Sequence, residues 1–331
     1  MTDTQDFKDV IENLSSNEAL KAAVIYKLSD PAANSLATLR AAWPMFDVDR
    51  RRQVMARLAE IGESDFQVDF SAVAMMALGD EDSDVRRHSI EALWPSDSLD
   101  TMRALIEAMG SDPSTEVREA AADALGKFVM ESEFNEIPPQ AGREVVDALL
   151  RTMARTPERS NLYLRALGSV SYSSRAEIAP LIEKAAMHDS IDVRAATLLS
   201  MGRYGDERWN DFILNALDDA EPAIRYEAAR ACGEAAISDA VPRLIELIKD
   251  NDREIKHAAI WSLGEIGGSE AQEALMRLAD IEIDEDLLES IEDAVNMAAI
   301  MAGDLSMHIL AGDDEDDLDE WETDEDYSNL S

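Results

Sequence analysis

Aspartates set just ahead of arginines are the first residues in this chain whose types could do chemistry. Asp80, Asp112, Asp189, Asp219 and Asp250 precede Arg86, Arg118, Arg194, Arg225 and Lys256 by one short turn. A carboxylate held near a cation is raw material for general acid–base work. Recurrence argues against that use, because a reacting centre is needed once and a structural pairing many times. An aspartate just before a helix also caps its free amides and complements its dipole. The four histidines are scattered, whereas a transition metal needs several imidazole and carboxylate ligands converging on it. Cys232, the single cysteine, falls on the apolar side of its helix and reads as core, a poor nucleophile when buried. One cysteine also leaves no intramolecular disulfide. No phosphate-binding glycine loop, nucleophile elbow or paired-cysteine zinc motif is present. Catalytic, cofactor and metal sites are therefore not expected.

What the chain offers instead is a set of binding side chains: Leu199, Arg203, Tyr226, Arg230, His257 and Trp261. Tryptophan beside tyrosine and arginine is the composition of an interaction hot spot. These six share a face only if the elements carrying them repeat, and they do. Val193-Arg194-Ala195-Ala196 runs to Met201-Gly202, Ile224-Arg225-Tyr226-Glu227-Ala228-Ala229 to Cys232-Gly233, and Ile255-Lys256-His257-Ala258-Ala259 to Leu263-Gly264. The anchors Val193, Ile224 and Ile255 are 31 residues apart, and each glycine follows its anchor by nine. A fixed period of about 20–50 residues signals stacked supersecondary units.

Within each second helix, apolar residues fall at the anchor and three, four, seven, eight and eleven beyond it. Val117, Ala120, Ala121, Ala124, Leu125 and Phe128 show the pattern. So wide a stripe packs a helix against its own partner and both neighbouring units. The complementary positions, two, six and nine or ten past the anchor, point outward and hold the six binding residues.

The units extend in both directions. Residues 1–16 read as an N-terminal leader, with a turn or two of helix around Phe7, Val10, Ile11 and Leu14. Residues 17–302 read as the repeat array. Asp30-Pro31 and Trp43-Pro44 punctuate it, since proline is tolerated at a helix start and not inside one. Glu131 to Pro139 is too polar and too proline-rich for a helix and reads as an inserted loop within 131–141. It displaces the next anchor to a degenerate one near Arg159. The acids Glu282, Asp284, Glu285, Asp286, Glu289, Glu292 and Asp293 suit the polar outer side that a terminal unit must present. Residues 303–331 read as an acidic tail, with eleven acids and no base from Asp313 onward. Like charges at that density predict disorder.

At 331 residues the chain suits two ordinary domains or one elongated array, and the repeat favours the array. Hydrophobic content of 46% with only 5% aromatic fits many small, alanine-rich contacts. Seventy acids against 30 bases give a formal charge of −40. That field repels phosphate backbones, so direct binding to nucleic acid is not expected. It admits a basic partner, and otherwise serves as a solvating surface. The amino terminus lacks the charge and apolar run of a signal peptide. No stretch approaches the 18 or so apolar residues of a membrane span. A soluble, cytoplasmic protein is expected.

These residues resemble HEAT repeats, more closely the short variety named after phycobilisome lyases. The acidic turn, the Val/Ile-Arg anchor, the Ala-Ala pair and the closing Leu-Gly carry the resemblance, strongest from Asp80 to Ala279. Ser238 to Asp250 looks like the family's first helix with its preceding turn. The resemblance implies an all-α, right-handed solenoid of about eight antiparallel helix pairs, with second helices lining a concave face. It also implies that the turn aspartates and anchor arginines form a structural ladder between adjacent units. Two activities come with the repeat. Deoxyhypusine hydroxylases hold iron through His-Glu pairs near the start of second helices; here those positions carry Tyr226-Glu227, His257-Ala258 and Arg87-His88-Ser89, and no His-Glu pair occurs. Phycobilin lyases attach a chromophore, for which this chain has no reactive-cysteine motif. The expectation is a non-catalytic scaffold or adaptor that grips another protein on its concave face. An enzyme or enzyme accessory of the lyase or oxidoreductase type and an acidic chaperone of basic proteins are the competing readings. Oligomeric state is not encoded in these features.

Overall fold

The structure, a computed structural model, describes residues 2–16, 18–65, 67–280 and 284–301. The acidic tail expected over 303–331 lies outside the described residues. Among them every regular element is helical. The α-helices are α1 (Thr2–Ser15), α2 (Ala22–Tyr26), α3 (Ala33–Ala42), α4 (Val48–Ser64), α5 (Ser71–Ala77), α6 (Ser83–Ala92), α7 (Leu99–Ser111), α8 (Thr115–Glu133) and α9 (Pro139–Met153). They continue as α10 (Asn161–Val170), α11 (Ile178–Ala186), α12 (Ile191–Tyr204), α13 (Asn210–Ala216), α14 (Pro222–Glu234), α15 (Val241–Leu247), α16 (Arg253–Ile266), α17 (Gly268–Ala279) and α18 (Glu285–Met301).

From α5 onward each odd-numbered helix packs on the even-numbered helix that follows it. With α3 and α4 as the first pair in chain order, this makes the eight units expected. The even helices also touch one another in unbroken succession from α4 to α18. Each unit thus packs mainly on its neighbours, the pattern of a solenoid, although the Tyr172 hydroxyl reaches across one unit to donate to Glu234 at 3.4 Å.

Local chemistry sets the helix starts. The side chains of Asp47, Asp82, Ser98, Ser114, Ser160 and Asp252 accept hydrogen bonds from first-turn amides of α4, α6, α7, α8, α10 and α16. Pro222 opens α14, where its missing amide is no loss. The glycine nine past the anchor has a packing cause. A Cβ on Gly202 would stand 2.7 Å from both the Cα and the carbonyl oxygen of Ala231, and one on Gly264 would stand 2.9 Å from the Cα of Ala294. Second helices approach there backbone to backbone, and only hydrogen fits.

The ladder joins adjacent units at three seams. Arg51 Nη1 donates to both carboxylate oxygens of Asp80 at 2.8 and 2.7 Å. Arg86 grips Asp112 through Nε and Nη2, both at 2.8 Å, and Arg225 holds Asp250 at 2.9–3.0 Å. The expected pairing fails elsewhere. Asp189 and Asp219 take no arginine side chain; Arg194 donates instead to the carbonyls of His188 and Asp189. Arg118 reaches only the Thr115 hydroxyl.

Three further expectations change. The leader is a full helix whose Phe7, Val10 and Leu14 are buried in the N-terminal core, because four apolar residues at helical spacing outweigh its polar start. The loop expected over 131–141 shrinks to five residues between α8 and α9. Glu131 stays helical because it is buried beside Lys127, at 3.5 Å. Pro138 and Pro139 form a helix start instead of a loop. The anchor placed near Arg159 is Leu162, buried, seven residues before Ser169, which is the residue Gly126 meets. The apolar core is two adjoining clusters, one from Phe7 to Leu93 and one from Ile90 to Ala298, meeting in α6. Cys232 lies wholly within the second, and burial pushes its thiol up to about 12.

Candidate functional site

Successive second helices place equivalent positions side by side, so a row of outward residues becomes a surface. On α10, α12 and α14 that surface sinks into an open cleft of about 570 Å³. Leu199, Arg203, Tyr226 and Arg230 line it, together with Leu164, Arg165 and Glu227. Four of the six residues singled out by spacing are therefore brought together. His257 and Trp261 are one unit further along, outside the lining.

Their exposure departs from the expected outward positions. Leu199 is only 8% exposed and floors the cleft. The Arg203 side chain is 13% exposed, with Nε donating to Glu234 at 3.1 Å. Its guanidinium lies 4.8 Å from the centre of the Tyr172 ring. The larger groove between crossing helices draws these positions inward. His257 shares a 3.0 Å hydrogen bond with Ser290 of α18 and is half-buried. Trp261 is 39% exposed, and a Cβ on Gly233 would stand 2.7 Å from its Cζ3. One ring edge thus packs on α14 while the other side remains open.

Residues that the spacing argument missed supply most of the electrostatics. Tyr172, Glu234 and Glu265 share one row with Arg203, ten residues past their anchors. Burial pushes the Tyr172 phenol up to about 12. Burial, with Glu234 adding to it, also raises the Glu265 carboxyl. The Glu227 carboxyl is raised by burial against the opposing pull of Arg230, Arg203 and Arg165. Its Oε2 is buried without a hydrogen-bond partner, with the nearest guanidinium nitrogen, on Arg230, 3.7 Å away. Arg230 in turn sits 5.9 Å from the Tyr226 ring centre. Asp123, Asp192, Asp252 and Glu254 complete an acidic rim. The ten-residue offset that marked Arg203 could also have revealed Tyr172 and Glu234. Nothing in the pattern marks Glu227 except that it stands where α12 and α16 have alanine, at Ala196 and Ala258.

Chemically, the cleft can clamp a side chain by charge and ring contact. Among the described residues, no group of three or more His, Cys, Asp or Glu side chains is placed to hold a metal ion. No helix among them is long and apolar enough to cross a membrane.

Among solved structures, human deoxyhypusine hydroxylase in complex with glycerol is 17% identical over 91% of this chain and 98% of its own, with a TM-score of 0.36. The CpcE–CpcF phycocyanin lyase complex from a Nostoc species aligns at 16% identity over 86% and 99%, TM-score 0.41. The Kap95–Nup1 complex aligns at 15% over 89% of this chain and 46% of its own, TM-score 0.42. No curated protein sequence matches the chain. The sequence model described as HEAT repeats matches residues 71–160 and 210–296, more than half of the length. These spans take in Gly264 and the Arg86–Asp112 and Arg225–Asp250 seams described above, and by them the chain belongs to the HEAT-repeat family.

Proposed function

We propose that the chain is a non-catalytic interaction scaffold whose α10–α12–α14 cleft holds a segment of another protein. The observation that carries this reading is the open cleft with a buried, donor-less carboxylate oxygen on Glu227. Leaving such an acceptor unmatched costs about 1–3 kcal/mol, and a donor from outside removes the cost. The five carboxylates of the lining outnumber its three arginines, Arg165, Arg203 and Arg230, and each of those has an acid within 4 Å. The matching occupant is a basic side chain flanked by apolar ones, with Leu199 and Tyr226 as the wall. Trp261, half-open beside the cleft, extends the grip. The single buried cysteine fits a cytoplasmic setting.

A photoreactive residue replacing Tyr226 tests the reading against one replacing Met276, which is exposed on the first-helix side. Cross-linking in native lysate should trap the same protein through position 226 and not through 276. Glu227→Gln and Trp261→Ala should each reduce that product several-fold. Equal trapping from both positions, or indifference to both substitutions, sinks the proposal.

A further inference from the structure

The ladder is broken at more than one rung, and what surrounds the rung at Arg118 is a second site. At the intact seams the arginine one past the anchor grips an aspartate two residues ahead of the next second helix's N-cap: Arg51 to Asp80, Arg86 to Asp112, Arg225 to Asp250. For Arg118 the equivalent acid is Glu158, two before the N-cap Ser160. Glu158 is turned away and pairs with Lys184. Arg118 is thus the one ladder arginine among the described residues with neither a carboxylate nor a backbone carbonyl. Its Nη2 donates to Thr115 Oγ1 at 3.0 Å, and its Nε is buried with no partner.

Two more arginines face the same gap. Arg118, Arg151, Arg155, Thr152 and Thr156 line a cleft of about 250 Å³ between α7, α8, α9 and α10, whose remaining walls are Ile106, Met109, Gly110, Ala148 and Leu162. No acid lines it. The nearby Asp112 is already held by Arg86, and Glu116 by Ser114. Arg151 and Arg155 at the end of α9 offset that helix's negative terminus. Arg118 does the opposite: it adds positive charge to the first turn of α8, where the dipole disfavours it. Three guanidinium groups hydrogen-bonded to no carboxylate are gathered here in a chain of charge −40, with Asp112 and Glu116 acting on Arg118 only through space.

We infer that this seam binds a phosphate dianion, which takes the place of the missing ladder carboxylate. Guanidinium forks match phosphate oxygens bidentately, and three of them with the Thr152 hydroxyl suit a tetrahedral oxyanion better than a planar monoanionic carboxylate; the Thr156 hydroxyl already donates to the Thr152 carbonyl. The volume leaves room for a small group esterified to the phosphate. The site is independent of the cleft on α10–α14.

Calorimetric titration of the full chain, with ionic strength held constant by sodium chloride, tests it. Inorganic phosphate, phenyl phosphate and acetate are the probes. One-to-one saturable binding of inorganic phosphate is expected, with acetate at least tenfold weaker. Binding of phenyl phosphate as well identifies an ester site; its failure identifies a site for the free ion. Arg118→Gln and Arg155→Gln should each weaken phosphate at least tenfold, while Arg165→Gln in the other cleft leaves it unchanged. Arg155 is exposed, so its variant keeps the test open if Arg118→Gln misfolds. Heats no larger than those of chloride, acetate binding as tightly as phosphate, or equal losses from Arg165→Gln would overturn the inference.

Discussion

Glu227 holds a charge that the fold does not want. Its raised pKa means the native state favours the protonated form, so its contribution to stability is fully present below the unfolded value and is lost as pH rises through the folded one. Glu227→Gln should therefore raise stability at pH 7–8 by on the order of 1 kcal/mol. The gain should vanish near pH 4, where both states bind the proton. Chemical denaturation at the two pH values reads the difference; a loss of stability at pH 8 would show that Arg230 already satisfies the carboxylate. Asp82 runs the other way. Hydrogen bonds from Arg52, helped by the amides of Val85 and Asp84, hold its carboxyl down at about 2. Its contribution is present above the unfolded value of 3.8 and is lost as pH falls through about 2. Asp82→Ala should cost about 1–2 kcal/mol at neutral pH through the lost cap and ion pair, and nearly nothing at pH 2.

At the scale of the element, the second helices are held by how closely they can approach. Gly202→Ala inserts a methyl 2.7 Å from backbone atoms of Ala231, which cannot retreat as a flexible side chain would. A loss of about 1–3 kcal/mol is expected from such overpacking. The same change at Gly110, where nothing lies within 4 Å of the added Cβ, should stabilise through helix propensity by a few tenths to about 1 kcal/mol. Thermal melts of the two variants moving in the same direction would contradict the packing account. The glycine offset and the alanine stripe were legible in the sequence because they recur. Which outward positions sink into a groove was not legible: Leu199 and Arg203 are covered by the neighbouring helix, and helix crossing is not written in one helix's period.

Seventy acids against 30 bases set the behaviour of the whole molecule. Self-repulsion on that scale destabilises a compact state, and salt screens it. The melting temperature should climb by several degrees between about 10 mM and 500 mM sodium chloride. A fall would mean that the exposed ion pairs, themselves screened by salt, outweigh the repulsion. Because each unit packs mainly on its neighbours, denaturant should also unfold the array in more than one step.

The sequence by itself determined the family, the helical class and the number of units. Each of these is a periodic property, written many times, so a single misplaced residue does not obscure it. Tertiary structure alone decided which rungs of the Arg–Asp ladder are empty, that Glu227 Oε2 has no donor, and that Trp261 is half covered by α14. Those are facts about one seam or one contact, fixed by how two helices cross and where a side chain turns, and a pattern shared by all units does not encode the unit that departs from it.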